Sequence, residues 1–398
     1  MAFDPELATQ AYMATLKGAA RAKSDAYFEG GYWLILWDFL VTVIANLIVL
    51  HLGWAARLST WARGVSGKWG AGPMLAALLF AVPYLLIVTL ITAPYTIYVE
   101  YFREHAYGLS NQGFGEWGGE QLIVIAANTL IAAILWMGVH AVIRRFPRGW
   151  WIGGTALTIA VLVTTITLAP VYLDPLFNDY TPLPDGPVKT EVLKMARANG
   201  VPADNVYLVD ASKQSDRISA NVAGLFNTTR IALNDNLMKQ DLHEIRSVMA
   251  HELGHYVLNH IWKLLLAFAV LTALSFGIIG VVGPLLLARF GARWGISGMA
   301  DPACLPVLVM IFAAMSVLAT PIGNSLVRIN EQEADMFGLN AARAPDGFAR
   351  IAMKLSQYRK IEPGHWEEII FFDHPSGHTR VATAMRWKAE HVDEADIH

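Results

Sequence analysis

A single cysteine, Cys304, stands in a chain of 398 residues. That scarcity excludes an internal disulfide framework and any cysteine-based metal cluster. Its apolar neighbours make Cys304 a small buried side chain. Charge is scarce as well: Asp, Glu, Lys and Arg supply 16% of the residues, against about 25% in soluble domains. No long run of one sign occurs and the net charge is -3, so a nucleic-acid partner has no electrostatic support. The N-terminal stretch carries Lys17, Arg21, Lys23, Asp25 and Glu29 and lacks a short apolar core before a small-residue cleavage site. It does not read as a cleavable signal, and the first apolar segment is expected to remain as an anchor. Internal repeats and low-complexity tracts are also missing.

Hydrophobic residues are plentiful, at 55%. A bilayer core requires about 20 apolar residues in a helix, and six stretches qualify: 31–53, 73–95, 121–143, 150–172, 264–288 and 303–327. Only the first contains a formal charge, Asp38, close enough to one end to reach water. Tyr32, Trp33, Tyr95, Trp150, Trp151, Tyr172 and Trp262 flank these runs as an interfacial belt. The expected fold is a mostly α, polytopic membrane protein. An N-terminal membrane region occupies 1–172, a first polar segment 173–263, two further spans 264–327, and a second polar segment 328–398. Within the first polar segment an amphipathic helix is expected at 188–199, ended by Gly200. Short strands are expected at 206–209 and 230–233, with a third at 218–223, and a helix at 241–261 with Asp241 as its N-cap. Six spans put both polar segments on one side. The opposite loops hold Arg57, Arg63, Lys68, Arg144, Arg145, Arg148, Arg289 and Arg293, which by the positive-inside rule would make that opposite side cytoplasmic, against Lys17, Arg21, Lys23 and Arg103 on the side of the polar segments.

The expected helix at 241–261 contains His251-Glu252-Leu253-Gly254-His255. Residues four apart share a helix face, so both imidazoles reach one ion. Zinc suits imidazole nitrogen and leaves a position open for water in catalytic sites, with Glu252 placed to take that water's proton. One zinc ion per chain is expected. Two histidines need a third ligand. A downstream histidine of the metzincin kind is ruled out, since Leu258 and Ile261 occupy the positions of its glycine and histidine; His260 falls one residue short and reads as interfacial. The stretch Leu183-Pro184-Asp185-Gly186 is an interrupted and polar version of the intramembrane Leu-Asp-Gly aspartate and is rejected. The segment after the sixth run, Arg328-Ile329-Asn330-Glu331-Gln332-Glu333-Ala334-Asp335, remains. Glu331 and Asp335 share a helix face: the first is the candidate ligand, the second a candidate hydrogen-bond partner for a ligand histidine.

With these motifs in place, the chain resembles the type I CaaX prenyl proteases, integral-membrane zinc endopeptidases. The likeness runs from about Tyr27 and is densest from Leu168. It rests on Asp174-Pro175-Leu176-Phe177-Asn178-Asp179-Tyr180-Thr181-Pro182-Leu183, on the zinc helix, on Arg328-x-x-Glu331-x-x-Ala334-Asp335, and on His374-Pro375 with Arg380. The resemblance implies membrane helices forming a chamber around a zincin-like α+β catalytic domain with a small sheet. It supports Glu331 as third ligand and places His374 and Arg380 at the substrate carbonyl and its oxyanion. From the residues alone, His374-Pro375 reads as a turn. It further implies an edge strand at 218–224 to which an extended peptide adds, with Ser219, Ala220, Asn221 and Gly224 as substrate contacts. Here the sequence departs from the family, with Ser219 in place of an asparagine and Asn221 in place of a tyrosine. It also shows six spans where the family has seven, the first being the one without a counterpart. In the family the catalytic side is cytosolic, opposite to the charge count above.

The leading expectation is a multi-pass zinc metalloendopeptidase, in a bacterial inner (cell) membrane, acting on an extended peptide or protein that is prenylated or, alternatively, on unprenylated membrane proteins in quality control. Two other classes compete. A transporter needs polar residues along its spans, and Asp38, Asn46, Asn128 and Asn324 are few. A non-cutting lipopeptide binder would have no need of the full catalytic set.

Overall fold

The computed structural model describes residues 3–223, 229–394 and 397. Its elements run α1 (Pro5–Met13), α2 (Gly18–His51), α3 (Trp54–Lys68), α4 (Gly72–Ile97), a π-helical turn (Tyr98–Arg103), α5 (Glu104–Ala106), α6 (Phe114–Arg145) and α7 (Trp150–Tyr172). Then come β1 (Tyr180–Pro182), α8 (Pro187–Ala198), β2 (Val206–Val209), β3 (Ala220–Ala223) and β4 (Arg230–Asn234), followed by α9 (Leu242–Val257), α10 (His260–Trp294), α11 (Leu305–Ala342), α12 (Pro345–Leu355), α13 (His365–Phe371) and α14 (Gly377–Glu390).

Six helical segments, α2, α4 with its π-turn and α5, α6, α7, α10 and α11 with the turn before it, are long and apolar enough to span a bilayer. Only 6% to 33% of their most hydrophobic windows is buried inside the protein. The rest, including Leu90, Leu122, Leu266 and Leu318, is exposed, and apolar surface on that scale requires lipid rather than water. The helices overrun the expected spans: α2 and α10 have 34 and 35 residues, so their ends project beyond the bilayer and carry polar groups into the catalytic region. Internal prolines, Pro83, Pro94, Pro170, Pro284 and Pro321, are tolerated where neighbouring helices accommodate the lost hydrogen bonds.

A four-stranded mixed sheet, in the order β1-β2-β4-β3, lies beside α9. β2 pairs parallel with β4, and β1 and β3 flank them antiparallel. β3 is therefore an edge strand with one side of its backbone open. β2, β4, α8 and α9 close over a core of Val206, Ile231, Leu233, Ile245, Met249 and Leu253.

Several expectations shift. The 241–261 helix is two helices: α9 stops at Val257, and Asn259 takes the left-handed conformation at φ 57°, which an asparagine tolerates, before α10 starts at His260. The strand expected at 218–223 begins only at Ala220, because Ser219 is engaged by Asn234. β1 is not among the expected strands: three residues including Pro182 give no periodicity to detect. The basic loop at 54–68 is the helix α3, anchored by Ser59 donating to Asp301 at 2.6 Å and Arg63 facing it at 3.4 Å.

Candidate metal centre

The centre begins with a helix start. The Asp241 carboxylate accepts the backbone N–H groups of His243 and Glu244 at 2.8 and 3.0 Å, satisfying donors that the first turn leaves open. That fixes where α9 begins. α9 then crosses α11 at small residues. A Cβ on Gly338 would stand 3.2 Å from the backbone nitrogen of His251, and one on Gly254 would stand 3.3 Å from Cα of Ala334. The closeness of this crossing brings the imidazoles of α9 to the carboxylates of α11.

His251 Nε2 and His255 Nε2 are 3.0 Å apart. Glu331 Oε2 is 3.2 Å from the first and Oε1 3.4 Å from the second. One donor atom from each of the three residues lies within 4.8 Å of the others, the spacing of a ligand set around an ion with bonds of about 2.0–2.2 Å. The buried Glu331 Oε2 carries no well-directed hydrogen bond, and two imidazole nitrogens face each other. Both observations fit a site built for a cation. Behind the candidate ligands, Asp335 Oδ1 stands 2.8 Å from His251 Nδ1, close enough to keep a proton on that nitrogen and leave Nε2 with its lone pair toward the centre. Arg380 in turn grips Asp335 with both prongs, Nε to Oδ2 at 2.9 Å and an Nη to Oδ1 at 2.5 Å.

The electrostatics agree. Burial pushes the Glu252 carboxyl up to about 7; Glu331 adds to this, while His251 and Arg380 oppose it. A group titrating near neutrality suits proton transfer. Burial, with help from His251, pushes His255 down to about 4 and keeps it a neutral donor. Burial acts downward on His251 too, but Asp335 and Glu331 outweigh it and raise it to about 9. The anionic field that holds a proton there equally holds a metal cation.

Ser219, Ala220, His251, Glu252, Glu331, His374 and Arg380 line one cleft of about 230 Å³. The structure thus brings together almost all of the residues singled out from the sequence. His374 Nε2 is 3.3 Å from Glu331 Oε2 and its Nδ1 2.9 Å from Asp373. Arg380 lines the cleft while its guanidinium is committed to Asp335. Asn221 is exposed on β3 opposite Ala232 and is not among the cleft's walls. Gly224 lies outside the described residues.

Two features escaped sequence reasoning. His260 is not interfacial: it is buried, with Nδ1 2.9 Å from His255 Nδ1 and Nε2 3.0 Å from Glu333. The turn at Asn259 swings it back toward α9, and an asparagine after the last apolar position was the available signal. Asn234 clamps the chain entering β3, accepting from Ser219 N at 3.2 Å and donating to Arg217 O at 2.7 Å; no pattern in the sequence announces it.

The model for peptidase family M48 matches residues 182–388, slightly more than half of the chain. The chain belongs to that family. A second model, the CAAX prenyl protease N-terminal region with five membrane helices, matches residues 9–179, where this chain has four spanning helices, α2, α4, α6 and α7. An uncharacterized metalloprotease of Bacillus subtilis, YhfN, is 30% identical over 77% of this chain and 73% of its own length. The CAAX prenyl protease 1 homolog of Homo sapiens is 24% identical over 79% of this chain and 75% of that protein. The crystal structure of S. mikatae Ste24p has the same fold, with a TM-score of 0.73 at 20% identity, covering 96% of this chain and 94% of the other. The M48 chain is therefore a membrane-embedded metallopeptidase, a metal-dependent hydrolase of peptide bonds.

Proposed function

We propose that this M48 chain is a zinc endopeptidase with His251, His255 and Glu331 as ligands, Asp335 as the group that orients His251, and Glu252 as general base. The observation that carries this reading is the convergence of the three donor atoms within 4.8 Å beside the half-buried Glu252 carboxyl, raised to about 7. Zinc, when bound, polarises the scissile carbonyl and makes water a nucleophile at neutral pH. Glu252 removes the proton from the attacking water and passes it to the leaving amine. His374, on the cleft wall near Glu331, donates to the oxyanion of the tetrahedral intermediate. Arg380 lies in the same wall and adds positive charge there, while its pairing with Asp335 gives it a positioning role as well.

The substrate is an extended peptide that adds to the open edge of β3, with main-chain contacts at Ser219, Ala220 and Asn221. Gly224 belongs to the same proposed edge. A cavity of about 720 Å³ beside His255, walled by Leu162, Ile166, Val222 and Phe268, suits an apolar side chain or a prenyl group. The names of the relatives favour the prenyl group. Hydrolysis takes place in a bacterial cell membrane, as the B. subtilis relative suggests, and the near-neutral surface gives nucleic acid no part in it. The division into 1–172, 173–263, 264–327 and 328–398 belongs to the same reading; two family models that meet near residue 180 support its first boundary, and the two long apolar helices α10 and α11 support the others.

The test compares detergent-purified wild type with Glu252→Gln on a farnesylated peptide and its unprenylated twin, read by mass spectrometry. Wild type is expected to cut the farnesylated peptide faster, and Glu252→Gln to keep its zinc and lose at least 1,000-fold in rate, the order expected when a general base is removed. Cleavage by Glu252→Gln at the wild-type rate would overturn the assignment.

A further inference from the structure

The turn between α9 and α10 delivers a histidine that the proposed reaction does not use. His260 opens α10 directly after the left-handed Asn259 and is 1% exposed. A buried imidazole is costly unless its polar atoms are paired, and both of its nitrogens are. Nδ1 stands 2.9 Å from His255 Nδ1, with the two rings near perpendicular at 76°. Nε2 stands 3.0 Å from Glu333 Oε2, which Lys263 Nζ meets at 2.5 Å. Glu333 lies on α11, the helix that also carries Glu331. A line of hydrogen bonds thus runs from the candidate ligand His255 through His260 to a carboxylate at the protein surface, where the Lys263 and Glu333 side chains are 47% and 44% exposed.

The contact between two Nδ1 atoms ties the two tautomers together. Two lone pairs or two N–H groups at that distance repel, so one nitrogen donates and the other accepts. The Glu333 carboxylate only accepts, so a neutral His260 carries its proton on Nε2 and accepts at Nδ1. His255 then carries its proton on Nδ1, and its Nε2 presents a lone pair toward His251 Nε2 and Glu331 Oε1, at 3.0 and 3.4 Å. That is the tautomer a metal-binding imidazole needs at this place. His255 also has more need of a hold than His251: their side chains are 28% and 10% exposed, so packing alone confines His255 less. A ring turned over about its Cβ–Cγ bond would take both nitrogens away from their partners. We infer that His260 is the positioning residue for His255, setting its tautomer and ring orientation through the Nδ1–Nδ1 hydrogen bond, with Glu333 fixing His260 in turn. The inference rests on the zinc reading above. Each candidate ligand histidine then has its own support: Asp335 with Arg380 behind His251, and His260 with Glu333 behind His255.

The experiment uses the full chain in detergent and reads the metal rather than cleavage. Zinc affinity is measured by competition with a chromophoric chelator for wild type, His260→Leu, His260→Asn and Glu333→Ala. Leu removes the acceptor and should weaken zinc binding by about tenfold or more, the order expected when the partner of a ligand histidine is lost. Asn places an amide oxygen near the position of Nδ1 and should restore most of that loss. Glu333→Ala changes a half-exposed side chain outside the core, so it reads the same effect in a folded protein should His260→Leu not fold; it should weaken zinc in the same direction by a smaller factor. Wild-type affinity in Glu333→Ala and in a folded His260→Leu, or a loss in Leu that Asn does not repair, overturns the inference. A second reading needs no zinc. With isotope-labelled histidine in the full chain before zinc is added, nitrogen chemical shifts should place the His255 proton on Nδ1 and the His260 proton on Nε2, the signals being assigned by their absence in His255→Ala and His260→Asn. That pattern supports the positioning of His255 by His260 even if no zinc binds, a result that would defeat the zinc reading alone. A His255 proton on Nε2 refutes the positioning even if zinc binds and peptide is cut.

Discussion

At the scale of single residues, the centre is a chain of dependence: Arg380 holds Asp335, Asp335 holds His251, and His251 faces Glu331. Asp335→Asn keeps the shape but loses the charge, and should weaken zinc affinity by about 10–100-fold, measured by competition with a chromophoric chelator. Arg380→Met leaves the Asp335 carboxylate buried without its main partner, which should cost about 3–5 kcal/mol and appear as a lowered thermal midpoint in detergent. Part of this chain was legible beforehand. The spacing of four between His251 and His255, and again between Glu331 and Asp335, is a helical signature that needs no tertiary information. The Arg380–Asp335 pair was not legible, because it joins α14 to α11 across 45 positions and no local rule speaks to such a contact. The position of His260 was missed for a different reason: one left-handed residue, Asn259, reverses the direction that an unbroken helix would have given it.

At the scale of elements, the active geometry depends on how closely α9 is approached. A Cβ on Gly347, near the start of α12, would stand 2.7 Å from the carbonyl carbon and oxygen of His243, a backbone that cannot rotate out of the way. Gly347→Ala should force α12 off α9 and destabilise the protein by about 1–3 kcal/mol, again read as a thermal midpoint. Asp241→Ala removes the cap of α9 and should cost about 1 kcal/mol, with no change in zinc stoichiometry. The strands show why short elements are hard to read. β2 and β4, buried and rich in β-branched and aliphatic residues, were found at their observed positions within a residue. β1, three residues ending in Pro182, exists only because β2 offers it a partner.

At the scale of the whole molecule, the six membrane helices were the most legible feature, since length and hydropathy decide them almost alone. Their true ends were not, because a helix continues past the bilayer whenever its polar turns find protein to pack on. With so little of their apolar surface covered internally, the chain should stay in the membrane fraction through alkaline carbonate extraction; release into the supernatant would contradict six spans. The proposed metal centre is itself a product of this architecture, for its candidate ligands come from α9 and the far end of α11, with two membrane passages between them. Zinc K-edge absorption on the purified full chain, with zinc content measured in parallel, tests that claim most directly. The account predicts one zinc per chain, surrounded by nitrogen and oxygen at about 2.0–2.2 Å without sulfur, and loss of stoichiometric zinc in both His255→Ala and Glu331→Gln. Full zinc retention in either variant, or a sulfur ligand from Cys304, would contradict it.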